Sequence, residues 1–248
     1  MNSQILEIGR KKSDLDLALR DEKPDAARGL ACQRQIIEII ESLKTAILIE
    51  NLGLETYNFL VEQVGSNEEL ESRISALTIG GDTAEELQAK LEAVDPETGN
   101  CKFQIDNKAQ SLLNKMYQSE EFKKLVQNQK NIQTIRLKVS DLGFTGDGDR
   151  PTADQLFARA FELGLEFCPA EVGPYLRIKN TEHLDKCRCC IAMNTIMDQR
   201  DEPRIFYISY ATDIHSIHFL QLHTYWADHS TEFLLFDEFM FRLRGQKN

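Results

Sequence analysis

The sequence predicts an α+β fold: an N-terminal helical bundle followed by a C-terminal, mainly antiparallel β-sheet with one covering helix. Three observations predict it. Apolar residues recur at helical spacing from residue 31 to about residue 128. At Thr134 the period drops to two, with Ile135, Leu137 and Val139 alternating with Arg136, Lys138 and Ser140. Beyond a single further helix signal, five segments that read as strands follow. Residues 1–30 read as a flexible or frayed arm, 31–131 as the helical domain and 132–248 as the α+β domain.

In the first helix, Ile36, Ile40, Leu43 and Ile47, with Ile37 and Leu48 beside them, predict one broad buried stripe, closed by Gly53. A second helix runs through Tyr57, Leu60, Val61 and Val64 to Gly65. Ser66 and Glu69 form a capping box for a third, through Leu70, Ile74 and Leu77. Asp82 or Thr83 caps a fourth, with Leu87, Leu91 and Val94 inward, and Asp106 and Ser119 cap two more. In the second half Thr152 and Gln155 box a helix that Gly164 closes. Residues 175–178, 187–193, 205–210, 217–225 and 233–243 read as strands.

Charge narrows the partners. A formal net charge of -11 over 248 residues repels phosphate backbones, so duplex nucleic acid is a poor partner, and anionic membranes are disfavoured equally. No apolar run reaches the roughly 20 residues that span a bilayer, and Met1-Asn2-Ser3-Gln4 lacks the layout of an export signal. The expected location is cytoplasmic, with the six cysteines reduced. No cofactor motif is found, a protein partner is expected, and oligomeric state is left open.

The segments Val139-Ser140-Asp141-Leu142-Gly143-Phe144 and Ala158-Arg159-Ala160-Phe161-Glu162-Leu163-Gly164-Leu165-Glu166-Phe167-Cys168-Pro169-Ala170-Glu171-Val172-Gly173-Pro174-Tyr175-Leu176-Arg177 carry a resemblance. Over roughly the last half of the chain, this sequence resembles an uncharacterised family of small bacterial proteins. The resemblance implies no activity. Where members of that family look rich in tryptophan and leucine, this chain has Lys186-Cys187-Arg188-Cys189-Cys190 and Ile214-His215-Ser216-Ile217-His218-Phe219.

The most distinctive candidate surface is Cys168 to Arg177, where Pro169 and Pro174 fix φ on either side of Glu171 and Gly173 permits an unusual turn. Glu171 and Arg177 are either an acid or base and an anion clamp in a pocket, or an ion pair pinning helix to sheet; the second is favoured. Tyr175 and Trp226 are further candidate binding residues, Trp226 as part of a candidate cleft with His215, His218 and His223. Cys168, His183, Cys187 and Cys189 have the atom types of a zinc site, but a strand places Cys187 and Cys189 on one face and Cys190 on the other, so burial in a core explains them as well.

His215, His218 and His223 include candidate general bases, notably His218 and His223, yet His215 and His223 would stand about 26 Å apart on a regular strand. Asp147 and Asp149 match only half of a calcium loop. No phosphate-cradling loop, nucleophile elbow or paired-histidine zinc helix occurs in the sequence. The reading is a regulatory or protein-interaction protein without an evident catalytic motif. The alternative is a small hydrolase or toxin-like nuclease with a site around Glu171 and Arg177.

Overall fold

Helix α1 (Ala26–Leu52) ends at Gly53, whose φ of 81° is the left-handed conformation that glycine adopts without a Cβ penalty. A computed structural model describes the chain over residues 26–93, 103–146, 150–179, 189–212 and 218–244. The stripe expected to be buried on α1 is exposed instead: Ile36 40%, Ile37 54%, Ile40 46%, Leu43 44% and Ile47 42%. The buried residues of this helix are Leu48, Ile49 and Leu52. The helix has more apolar surface than one inward face uses, and periodicity does not say which side is covered.

Helix α2 (Leu54–Val64) follows. One compact unit ends within it at Phe59 and a second begins at Leu60. In the second unit Ser66 caps the short helix α3 (Asn67–Ser72), its hydroxyl accepting from the Glu69 amide at 3.1 Å.

The third expected helix stops there. Residues Ile74–Ile79 form strand β1, paired antiparallel with β3 (Lys130–Lys138), register Ile74 to Ile135. Leu77 and Ile79 are buried while Ala76 and Thr78 are exposed, so the alternation prevails over the spacing of Leu70, Ile74 and Leu77, which also fits a helix.

Helix α4 (Ala84–Leu91) starts at a complete Thr83 and Glu86 capping box. Strand β2 (Phe103–Ile105), which no sequence signal marked, precedes α5 (Asn107–Tyr117) and α6 (Glu120–Gln127), capped by Asp106 and Ser119 as expected. A 3-10 turn at Val139–Leu142 follows β3 and ends at Gly143. Within it, buried Asp141 accepts from the Lys138 amide at 2.7 Å and pairs with the Arg73 guanidinium. The first resembling segment thus ties the end of β3 back to the start of β1, which is a structural role.

Helix α7 (Ala153–Glu162) has the expected Thr152 and Gln155 box and leads to β4 (Leu165–Glu166). Residues 175–178, expected as a strand, lie in helix α8 (Val172–Lys179). Pro174 does not oppose this, because in the first helical turn its missing N–H would have had no intrahelical partner. Strands β5 (Cys189–Ile191), β6 (Ile196–Met197), β7 (Pro203–Thr212), β8 (His218–Trp226) and β9 (Glu238–Leu243) complete the order.

Among the described residues the sheet has nine strands in the order β1-β3-β9-β5-β7-β8-β2, with β4 on β9 and β6 on β7. It is mixed, not mainly antiparallel: β5 runs parallel to β9, and β2 parallel to β8. Both parallel pairs join strands distant in sequence, which alternation within a strand cannot reveal.

Nor does one helix cover the sheet. The ring of Phe157 on α7 meets Phe239 edge-on, and Phe239 shares its side of the sheet with Cys190 and Tyr207 through the register. Gly173 on α8 abuts Phe206, on the opposite side. Helices therefore pack on both faces. No described helix is long and apolar enough to cross a membrane.

Candidate functional site

The chain from β4 to α8 is held by its backbone. The Cys168 amide donates to Ala192 at 2.7 Å, the Val172 amide to Pro169 at 3.1 Å and the Tyr175 amide to the Glu171 carbonyl at 3.1 Å. Pro169 thus opens a tight turn that sets Glu171 immediately before α8. Gly173 serves close approach here, because a Cβ on it would lie 3.0 Å from the Phe206 Cβ.

A cavity of about 390 Å³ lies beside this turn, lined by Glu171, Glu121, Lys115, Cys168, Asn194 and Thr195 among others. Glu171 is only 2% exposed. Burial pushes its carboxyl up; its own amide opposes this, Glu121 adds to it and Lys130 works against it. Lys115 is anchored at the cavity, its ammonium donating to the carbonyls of Met197 at 2.5 Å and Asp198 at 3.1 Å.

Arg177 does not share this cavity, and no ion pair joins it to Glu171. On a helix, six residues at about 100° each turn two side chains well away from one another, which explains the separation that a strand reading hid. Arg177 is fully buried, and burial pulls its guanidinium down to about 9. Tyr175 is buried too; burial first, and the Asp82 carboxylate second, push its hydroxyl up to about 12.

The other expected residues scatter. Cys168 is buried, its thiol donating to the Met240 carbonyl at 3.4 Å and pushed up chiefly by burial. Cys189 and Cys190 are buried in β5. His183, Cys187, His215, Asp147 and Asp149 lie outside the described residues, as do the side chains of His218, His223 and Trp226. Among the described residues no three His, Cys, Asp or Glu side chains gather as a metal site would require.

No family model, no curated protein and no solved structure matches this chain. Any role for these residues therefore stands on geometry.

Sequence reasoning missed a second cavity, of about 670 Å³, which shares Asn194 and Thr195 with the first. Its wall includes Phe157, Phe161 and Phe167, packed edge-to-face, and Met197. At its rim the His229 ring meets Asp154 at 2.7 Å, and this bond raises the imidazole above its ordinary range. Such a pair can act as a base toward a proton donor within hydrogen-bond reach. The nearby hydroxyls of Ser230 and Thr231 already donate to Asp228, at 3.0 and 2.8 Å. The pair spans 75 positions in sequence, so no local spacing announces it.

Proposed function

We propose that the chain is a cytoplasmic protein-interaction protein that acts as a homodimer through α1. The single observation carrying this reading is the exposed row Ile36, Ile37, Ile40, Leu43 and Ile47. Contiguous exposed apolar surface marks contact with another macromolecule. The steps of four, three and four residues from Ile36 to Ile47 are those of a heptad seam. Ile40 and Ile47 then hold one core position and Ile36 and Leu43 the other; isoleucine at 40 and 47 flanking leucine at 43 is the arrangement that favours two parallel strands, from which Ile36 departs. A seam that fits its own copy needs no second gene product, and a two-fold pair closes on itself.

Energetics support a dimer of modest strength. Each of the five side chains keeps roughly half its surface in water, so covering it gives about 1 kcal/mol, or about 10 kcal/mol over two copies. Association costs about 4 to 15 kcal/mol. The two are close, so the dimer is expected to dissociate on dilution. Sedimentation velocity over a dilution series tests this: a rise from monomer to dimer with concentration is expected, and a monomer throughout sinks the proposal. Burial of Cys168, Cys189 and Cys190 as small apolar residues of the core supports a reducing compartment.

The alternative, a small hydrolase or nuclease around Glu171 and Arg177, gains a cavity beside Glu171 but loses the anion clamp, because Arg177 lies buried and away from that cavity.

A further inference from the structure

The cavity beside Glu171 has a charge pattern that its structural surroundings do not neutralise. Two carboxylates, Glu171 and Glu121, line it with one cation, Lys115. The Lys115 ammonium is turned to the Met197 and Asp198 carbonyls. Glu171 is almost wholly withdrawn from solvent, at 2% exposure. Among the described residues its carboxylate has no ion-pair partner: its own amide is the nearby donor, and Lys130 acts only through its field. A carboxylate so placed is costly unless a cation meets it.

The walls suit a short apolar stem. Met116, Cys168, Pro169 and Ile196 are apolar, while Asn194 and Thr195, both exposed, offer hydrogen-bonding groups beside them. The volume, about 390 Å³, falls toward the small end of ligand sites, which run from about 300 to 1,000 Å³.

We infer that this cavity binds a small organic cation, a primary ammonium or guanidinium on a short alkyl stem, with Glu171 as its counter-ion and Glu121 as the second carboxylate. This site is independent of the α1 seam. The same chemistry is offered by a free amine and by a lysine or arginine side chain of a peptide.

Calorimetry on the full chain tests it with n-butylammonium, methylguanidinium, the tripeptides Gly-Lys-Gly and Gly-Arg-Gly, and n-butanol as the uncharged control. At least one cation should bind and n-butanol should not. Glu171→Gln should weaken binding about tenfold or more, the effect of losing one charge-assisted hydrogen bond, and Glu121→Gln should weaken it less. Circular dichroism and the melting temperature of each variant establish that the fold is kept. Binding of the free ions assigns the site to a small amine; binding of the tripeptides alone assigns it to a partner's side chain. No binding by any cation, n-butanol binding as well as the ions, or undiminished binding by a folded Glu171→Gln overturns the inference.

Discussion

Replacing Gly173 by alanine tests how α8 sits on the sheet. Two effects oppose one another. Alanine in a helix is favoured over glycine by about 1 kcal/mol. The new methyl, however, would stand 3.0 Å from the Phe206 Cβ, 3.1 Å from Cγ and 3.2 Å from Cδ2. Because the nearest atom is the root of the Phe206 side chain on β7, a rotamer change cannot relieve it; the helix must shift. Overpacking of this kind costs about 1 to 3 kcal/mol. The net expectation is a loss of about 1 kcal/mol, read as a lower urea midpoint with unchanged slope. A Phe206→Ala background keeps the Cβ contact and removes Cγ and Cδ2, so Gly173→Ala should still cost stability there, but less than in the unaltered chain. If Gly173→Ala stabilises the otherwise unaltered chain by about 1 kcal/mol, the described contact between α8 and β7 is wrong.

Two further perturbations follow. Glu171 has a raised carboxyl in the folded chain, so the folded state holds its proton more tightly; its contribution is fully present below the unfolded value and is lost as pH rises through the folded one. Glu171→Gln should therefore raise the melting temperature near pH 8 and leave it almost unchanged near pH 4; a gain confined to acid would contradict the assigned direction. Asp141→Ala removes one of the two carboxylates that pair with Arg73, Glu69 being the other, and the acceptor of the Lys138 amide. Losing charge-assisted hydrogen bonds in this part-buried pair costs about 1.5 to 3 kcal/mol, which chemical denaturation would read as a clear fall in midpoint; a loss below about 1 kcal/mol, the range of a surface pair, would refute the role given to Asp141.

What is legible in the sequence is chiefly local. The caps at Ser66, Thr83, Asp106, Ser119 and Thr152 are readable because each is a contact between residues two or three apart. Strand β3 is readable because alternation over Thr134 to Val139 has no helical competitor. Strand β1 reads as helix because Leu70, Ile74 and Leu77 satisfy both periods, and its pairing with Ile135 decides between them at long range. The mixed sheet and the covering of both faces are likewise properties of chain crossings.

The candidate site is half legible. The rigid turn around Glu171 follows from Pro169, but Pro174, which in the sequence brackets a loop, opens a helix in the fold, and that helix parts Glu171 from Arg177. Glu121 and Lys115, which share the cavity with Glu171, come from helices about fifty positions earlier and leave no sequence signal. On α1 the apolar stripe is plain in the sequence, yet its exposure is visible only in three dimensions.

Light-scattering mass of three proteins at one high concentration tests the α1 seam most directly: the unaltered chain, Leu43→Glu and Leu43→Ile. A dimer, a monomer and a trimer or larger species are expected in that order, because a charge breaks the seam and isoleucine at both core positions favours more strands. One common mass for all three would contradict a dimer built on α1.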